Sequence, residues 1–399
     1  MALQFQRNAK VYAKIANSTN NSPDQGIFQI PVLSGFSFSQ SANSSEITIN
    51  EAGSTSRRAR LLFNDSIAPV EWSFSTYIRP TTATAPAAVV APEQVLWAML
   101  MGGNGYQAST RTFYSTQVGL GSPTAGSNSP SPGASPFTSP SAVGGSFINN
   151  ATQSTSNVFD FSASNVSSFP DGNILYVSFE DGGNKEYFTL NNIVVNSVTI
   201  DFDIEGIATA QWSGFAKNIS RAGSGSPAPT ASAINTGVSD TDNFIRNRLS
   251  TVTLTNSAVN GNTYNIVLTG GSFTVENNLS YLIPEQLGQV NTSIANITGA
   301  RTITGSLTCY YDNDVTAWKS ADLWSDLVTD TTTVRNSHAL QVNIGGTSGP
   351  RLQLNLPTAH LEVPTIGVDD LLTLEVNFHG IVASGNVDNT DEAYITYAR

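Results

Sequence analysis

Three histidines, one cysteine and a run of alternating acids are the side chains in this sequence best suited to chemistry. His338, His360 and His379 all fall in the second half, and none has a sequence neighbour that makes it part of a metal-ligand cluster. No phosphate-binding loop, dinucleotide glycine fingerprint or zinc-type spacing occurs. Cys309 lies within Leu307-Thr308-Cys309-Tyr310-Tyr311, an extended stretch where a small buried side chain is expected rather than a nucleophile. As the single cysteine it can form no internal disulfide, which fits assembly in a reducing compartment. A paired-carboxylate hydrolase needs only two acids that converge in space, so residue types alone leave that chemistry open. The reading is of a protein that is not an enzyme and takes no cofactor or metal.

The acids carry the clearest pattern. In Ser197 to Glu205, Val198, Ile200, Phe202 and Ile204 alternate with Thr199, Asp201, Asp203 and Glu205. That period of two predicts a strand with one apolar and one acidic face. Asp369 and Asp370 precede a similar stretch, in which Leu372, Leu374, Val376 and Phe378 oppose Thr373, Glu375, Asn377 and His379. Such a face is either the solvated side of a half-buried sheet or a wall facing a channel.

Composition says what must position these faces. Charged residues make up 12% of the chain, so the usual helix formers Lys, Glu and Arg are scarce, and Val, Ile, Thr and aromatic residues point to a mainly β protein. At 399 residues there is room for two or three cores. The net charge of −12 removes the Lys/Arg excess on which tight nucleic-acid binding depends. The N-terminus has no apolar signal-peptide core, and no run of about 18 apolar residues spans a membrane.

The elements occur twice. Val32-Leu33-Ser34-Gly35-Phe36-Ser37-Phe38 returns as Val267-Leu268-Thr269-Gly270-Gly271-Ser272-Phe273, with five of seven positions identical. Phe5-Gln6-Arg7-Asn8 returns in the same order as Phe244-Ile245-Arg246-Asn247, and Ile15, Asn17 and Ser18 match Leu254, Asn256 and Ser257. Two ordered matches predict one ancestral domain written twice. The strand Glu71 to Ile78 puts Trp72, Phe74 and Thr76 on one face, and Thr76 stands where the second half has Cys309. Pro92 to Met101 reads as a helix started by Pro92 and Glu93 and stopped by Gly102-Gly103; Lys319 to Val328 is its counterpart. Trp97 and Trp324 are expected to anchor these helices in the core. Leu175, Val177 and Phe179 match Leu340, Val342 and Ile344.

The halves differ by one insertion. Trp97 stands 78 residues before Leu175 but Trp324 only 16 before Leu340, which leaves 62 extra residues in the first half. Its middle, Gly121 to Gly145, is Ser, Pro and Gly with little else and is expected to be a surface loop. The expected domains are 1–216, with the insertion at about 104–170, and 244–399 with a polar tail; residues 217–243 are the linker.

These strands, the Leu-Trp helix, the paired hairpins and the Asn277-Asn278-Leu279-Ser280-Tyr281-Leu282 and Thr298 to Tyr310 stretches resemble the tail tube (major tail) proteins of tailed bacteriophages. The resemblance implies two tandem tube-like β-sandwich/barrel domains, each with a short flanking α-helix. It implies a virion protein, assembled in the host cytoplasm, that stacks as rings into a tube conducting double-stranded DNA. Partners would be further copies of the chain and other tail proteins such as sheath, tape measure or terminator. With two domains per chain, three chains would make a pseudo-sixfold ring. The polar excursions at 40–60 and 275–300 would reach the adjacent ring, with Arg57, Arg58, Arg60, Asn277 and Tyr281 as contacts. Asp201, Asp203, Glu205, Asp369, Asp370 and Glu375 would line the lumen. The rival readings are a carbohydrate-binding or adhesive β-sandwich of a fibre or cell surface, and a head decoration or neck protein.

Overall fold

The computed structural model describes residues 9–18, 26–47, 61–84, 87–107, 112–114, 146–147, 156–160, 169–181, 184–222, 244–256, 262–287, 290–314, 318–329, 337–346, 349–368, 370–382 and 392–398. The Ser/Pro/Gly loop at 121–145, the Phe5 to Asn8 match, Arg57, Arg58, Arg60 and Asp369 lie outside these residues.

The first half runs β1 (Ala9–Lys14), β2 (Ile27–Ile30), β3 (Ser37–Ser39), β4 (Ala42–Ile47), β5 (Leu61–Ile67), β6 (Val70–Tyr77) and α1 (Gln94–Leu100). After it come β7 (Ser156–Asp160), β8 (Ile174–Asp181), β9 (Asn184–Asn191), β10 (Val194–Asp201), β11 (Thr209–Ala216) and β12 (Asn218–Ala222). The second half runs β13 (Thr251–Asn256), β14 (Thr263–Tyr264), β15 (Leu268–Glu276), β16 (Ser280–Leu282), β17 (Asn291–Thr292), β18 (Ala295–Ile297), β19 (Thr302–Tyr310) and α2 (Ser320–Thr329). It closes with β20 (His338–Ile344), β21 (Arg351–Leu361), β22 (Thr365–Val368), β23 (Leu372–Gly380) and β24 (Tyr394–Ala398). The chain is mainly β, as its composition predicts.

An inner sheet of eight antiparallel strands runs β3-β6-β11-β10-β15-β19-β23-β22. Its first four strands come from the first half and its last four from the second. Outer layers back each set: β2-β1-β8-β9-β12 in the first half and β14-β13-β20-β21-β24 in the second. β21 serves both layers of the second half, because Arg351 to Asn355 pair with β24 and Ala359 to Leu361 with β23. The core fills the space between layers and is continuous across both halves.

Alternation builds the inner sheet. β6 buries Val70, Trp72, Phe74 and Thr76 and turns Glu71, Ser73, Ser75 and Tyr77 the other way. Large side chains on this core face meet glycines across the strand. A Cβ at Gly214 would lie 2.6 Å from the Trp72 ring, and one at Gly305 would lie 2.3 Å from the Phe378 ring. The large partner comes from β6 in the first half and from β23 in the second, so the same space is filled from opposite sides. At the seam between halves, a Cβ at Gly271 would lie 2.7 Å from the Phe202 ring.

The two helices are placed differently. All seven residues of α1 are buried. Trp97 stands edge-on to Trp212 at 5.1 Å between ring centroids, and its Nε1 donates to Tyr397 Oη of β24 at 2.7 Å. Positive φ at Gly102 lets the chain leave the helix, with Gly103 N–H donating back to Ala98 O. In α2 only Ser320 and Leu323 are buried, and Trp324 is half-buried against the core.

Four expectations need correction. The polar tail expected at the C-terminus instead holds β24, whose Ile395, Thr396, Tyr397 and Ala398 are buried. The acidic strand ends at Asp201, not Glu205; residues 202–208 form the turn to β11, and Ile204 is exposed. The linker expected from 217 begins instead with β12, which pairs with β9; 223–243 lie outside the described residues. Leu175 faces Leu190 while Val342 faces Leu354, so register aligns Leu175 with Val342 rather than Leu340. The insertion then measures 60 residues, and its β7 pairs with β24 at the edge of the second outer layer.

Candidate functional site

The non-core face of the inner sheet is a continuous surface built from both halves. Hydroxyl ladders run across it: Ser37 to Ser73 at 2.8 Å, Ser197 to Ser213 at 2.7 Å, Thr199 to Thr274 at 3.0 Å and Ser272 to Ser306 at 3.2 Å. These pairs satisfy one another and leave a flat, neutral ground. The eight strands contain no Lys or Arg. Their charges are four carboxylates, Glu71, Asp201, Glu276 and Glu375, on the same face by register.

Two of the six acids singled out from the sequence, Asp201 and Glu375, therefore belong to this face. Asp203 and Glu205 sit in the turn beyond β10 and Asp370 in the turn between β22 and β23, all exposed at one rim. Partial burial, together with the neighbouring Asp203, holds the Asp201 carboxyl above its ordinary range. At the opposite end of β23, His379 Nε2 lies 2.9 Å from Glu362 Oε1, and hydrogen bonds from His379 and Asn377 hold Glu362 below the usual carboxylate range. Glu71 and Glu276 escaped the sequence reading. The same alternation would have found them, since Glu71 is in phase with Ser73 and Glu276 with Thr274.

Cys309 is fully buried, and burial pushes its thiol up to about 11. His338 is buried and pushed down to about 4 by desolvation. Among the described residues, no three His, Cys, Asp or Glu side chains gather as metal ligands.

Both excursions leave the sheet at the rim opposite Asp203. β4 and β5 form a hairpin that exposes Ile47, Leu61, Leu62 and Phe63. The second excursion, β16 to β18, exposes Leu282, Leu287, Ile294 and Ile297, and its β17 pairs in parallel with β5. Where they are described, both excursions expose these apolar side chains among polar ones such as Asn43, Ser44, Ser45, Glu46 and Ser280. Asn277 and Tyr281 turn inward. Asn277 is buried, and its Nδ2 donates to Leu100 O at 2.8 Å and Val195 O at 3.3 Å, closing the C-terminal end of α1. The Tyr281 ring packs edge-on to Phe215 at 5.9 Å.

Both ends of the inner sheet are free. Among the described residues β3 pairs only with β6, and β22 only with β23. The surface is thus a broad sheet with a hydroxyl-rich face whose strands hold no Lys or Arg, and with two edges open among the described residues. The chain belongs to the phage tail tube protein family, whose model matches residues 79–380. Along its whole length it is also 28% identical, over 403 residues, to tail tube protein pb6 of Escherichia phage T5, spanning 76% of that protein. It is a structural virion protein of the phage tail, and its copies stack into a tube with other tail proteins.

Proposed function

We propose that three copies close into a pseudo-sixfold ring whose inner sheets form one barrel around a lumen for double-stranded DNA. Eight inner strands per chain would give a barrel of 24. Each chain would carry two tandem tube-like domains, over 1–216 and 244–399. The observation that supports this is the seam inside the chain. β10 of the first half pairs antiparallel with β15 of the second, and strand order on either side repeats: β3-β6-β11-β10, then β15-β19-β23-β22. By the same order β22 of one chain meets β3 of the next.

Burial agrees with an unfilled joint. Ile200 and Phe202 are 0% and 1% exposed at the seam, whereas their register counterparts on β22, Ile366 and Val368, are 37% and 76% exposed. Phe273 is fully buried, and its counterpart Phe38 is half-buried. Thr199 and Thr274 touch across the seam, and their counterparts are Thr365 and Ser39. The double variant Ser39→Cys with Thr365→Cys is therefore expected to oxidise into covalently closed trimers on a non-reducing gel. A ladder reaching six chains, or no cross-link in assembled tubes, overturns the trimeric ring.

In this ring the hydroxyl face points inward and the apolar hairpins reach the next ring, with assembly in the host cytoplasm and no catalytic role. A lumen without cations releases no counterions from DNA and so does not hold it. Tubes of Asp201→Lys plus Glu375→Lys, assembled with short duplexes, are expected to retain DNA and to release it between about 50 and 200 mM salt. Intact tubes that retain none place these residues outside the lumen and overturn that reading.

A further inference from the structure

We propose that the outer face of α2 is covered, in the ring, by strand β12 of the next copy, with Arg221 of that copy seated over Trp324. The proposal rests on the ring reading above and specifies a second joint, behind the barrel.

The template lies within the chain. α1 is fully buried because β24, the last strand of the second half's outer layer, lies against it and hands Tyr397 to Trp97. Among the described residues α2 has no such cover. Trp324 and Leu327 are half-buried, and Val328 and the preceding Trp318 are 43% and 42% exposed. Trp324 and Val328 on the helix, with Trp318 just before it, are an unusual surface for solvent.

The missing cover has a counterpart in the first half. β24 pairs with β21, where Tyr397 stands opposite Leu352; β12 pairs with β9, where Arg221 stands opposite Phe188. The aligned hairpins make Leu352 the counterpart of Phe188, so Arg221 occupies the place of Tyr397. β12 is an edge strand among the described residues, whereas β24 is flanked by β7. The Arg221 side chain is 70% exposed and ion-paired with Glu186. A guanidinium is well suited to the face of a tryptophan. A hydrogen-bonded Tyr–Trp contact within the chain thus becomes an Arg–Trp contact between chains.

The test is a double-mutant cycle on assembly, run in the Ser39→Cys, Thr365→Cys background. Arg221→Ala and Trp324→Ala are each expected to raise the concentration for half-assembly about tenfold. The double variant is expected to be no worse than either single one. Arg221→Tyr, which copies the internal joint, is expected to retain assembly. Cross-linked trimers with unchanged or additive assembly in the variants overturn this joint and leave the ring standing. Loss of the trimer cross-link in the parent overturns the ring itself, and with it this joint.

Discussion

Trp97→Ala destabilises the isolated protomer by about 3–5 kcal/mol, the range for removing a large, fully buried aromatic side chain. Trp97 has no exposed surface, and its indole contacts come from both halves of the chain. Trp212 of β11 presents an edge to it, and Tyr397, 300 residues away, accepts its N–H. Truncation opens a cavity between layers that cannot collapse, since β10 and β24 are fixed by ladders on either side. It also removes the donor to a buried phenol, a further cost. Trp324→Ala removes a half-buried ring whose outer side meets solvent, and costs the protomer about 1 kcal/mol. Urea unfolding of the two variants beside the parent measures both numbers. Equal losses would show that the tryptophans hold equivalent positions in the protomer, and the asymmetry drawn between α1 and α2 would be wrong.

The contrast between these tryptophans marks where the sequence is a sufficient guide. Period-two alternation identified β6, β10 and β23 and the face each would bury, because half-buried strands write their burial into local order. The first Leu-Trp helix was legible from Pro92, Glu93 and the glycine pair that follows, and the second from its matching Leu323-Trp324. Local composition separates the two helices, since Val95, Ala98, Met99 and Leu100 surround Trp97 whereas Asp322, Ser325 and Asp326 surround Trp324; what local order does not show is that β24 supplies the cover over α1. Asn277 has the same problem: its role depends on Leu100, 177 positions away. The acidic run misled for another reason. Alternation continues through Phe202 and Ile204, whose N–H groups still donate to Gly271 O and Thr269 O, yet pairing with β11 stops at Asp201, where the chain turns. Periodicity cannot see where a neighbouring strand ends. The exchange of Trp72 over Gly214 for Phe378 over Gly305 is likewise invisible without register, because it conserves volume across a pair of strands rather than at any one position.

Glu93 is the buried charge that sequence order concealed, and it gives the protein a pH-dependent stability. A glutamate at a helix N-terminus is ordinarily a surface residue favoured by the helix dipole. Here it is 1% exposed, beneath β24. Desolvation raises its carboxyl to about 7 from 4.5, and hydrogen bonds, from Tyr397 and the Arg79 N–H among others, offset only part of that. The folded state therefore holds a proton that the unfolded chain releases at a lower pH. Stability from this group is fully present below 4.5, falls as pH rises through about 7, and is flat above it. At about 1.4 kcal/mol per pKa unit, the loss amounts to roughly 3 kcal/mol. Glu93→Gln keeps an acceptor for the Tyr397 hydroxyl and carries no charge, so its stability lacks this slope. In urea unfolding the variant is expected to match the parent near pH 4.5 and to exceed it by up to about 3 kcal/mol near pH 8. A difference between the two that does not change with pH would mean that Glu93 titrates alike in the folded and unfolded chains. The contact beneath β24 would then be open to water, and the seam that joins the first half's helix to the second half's outer layer would not be sealed.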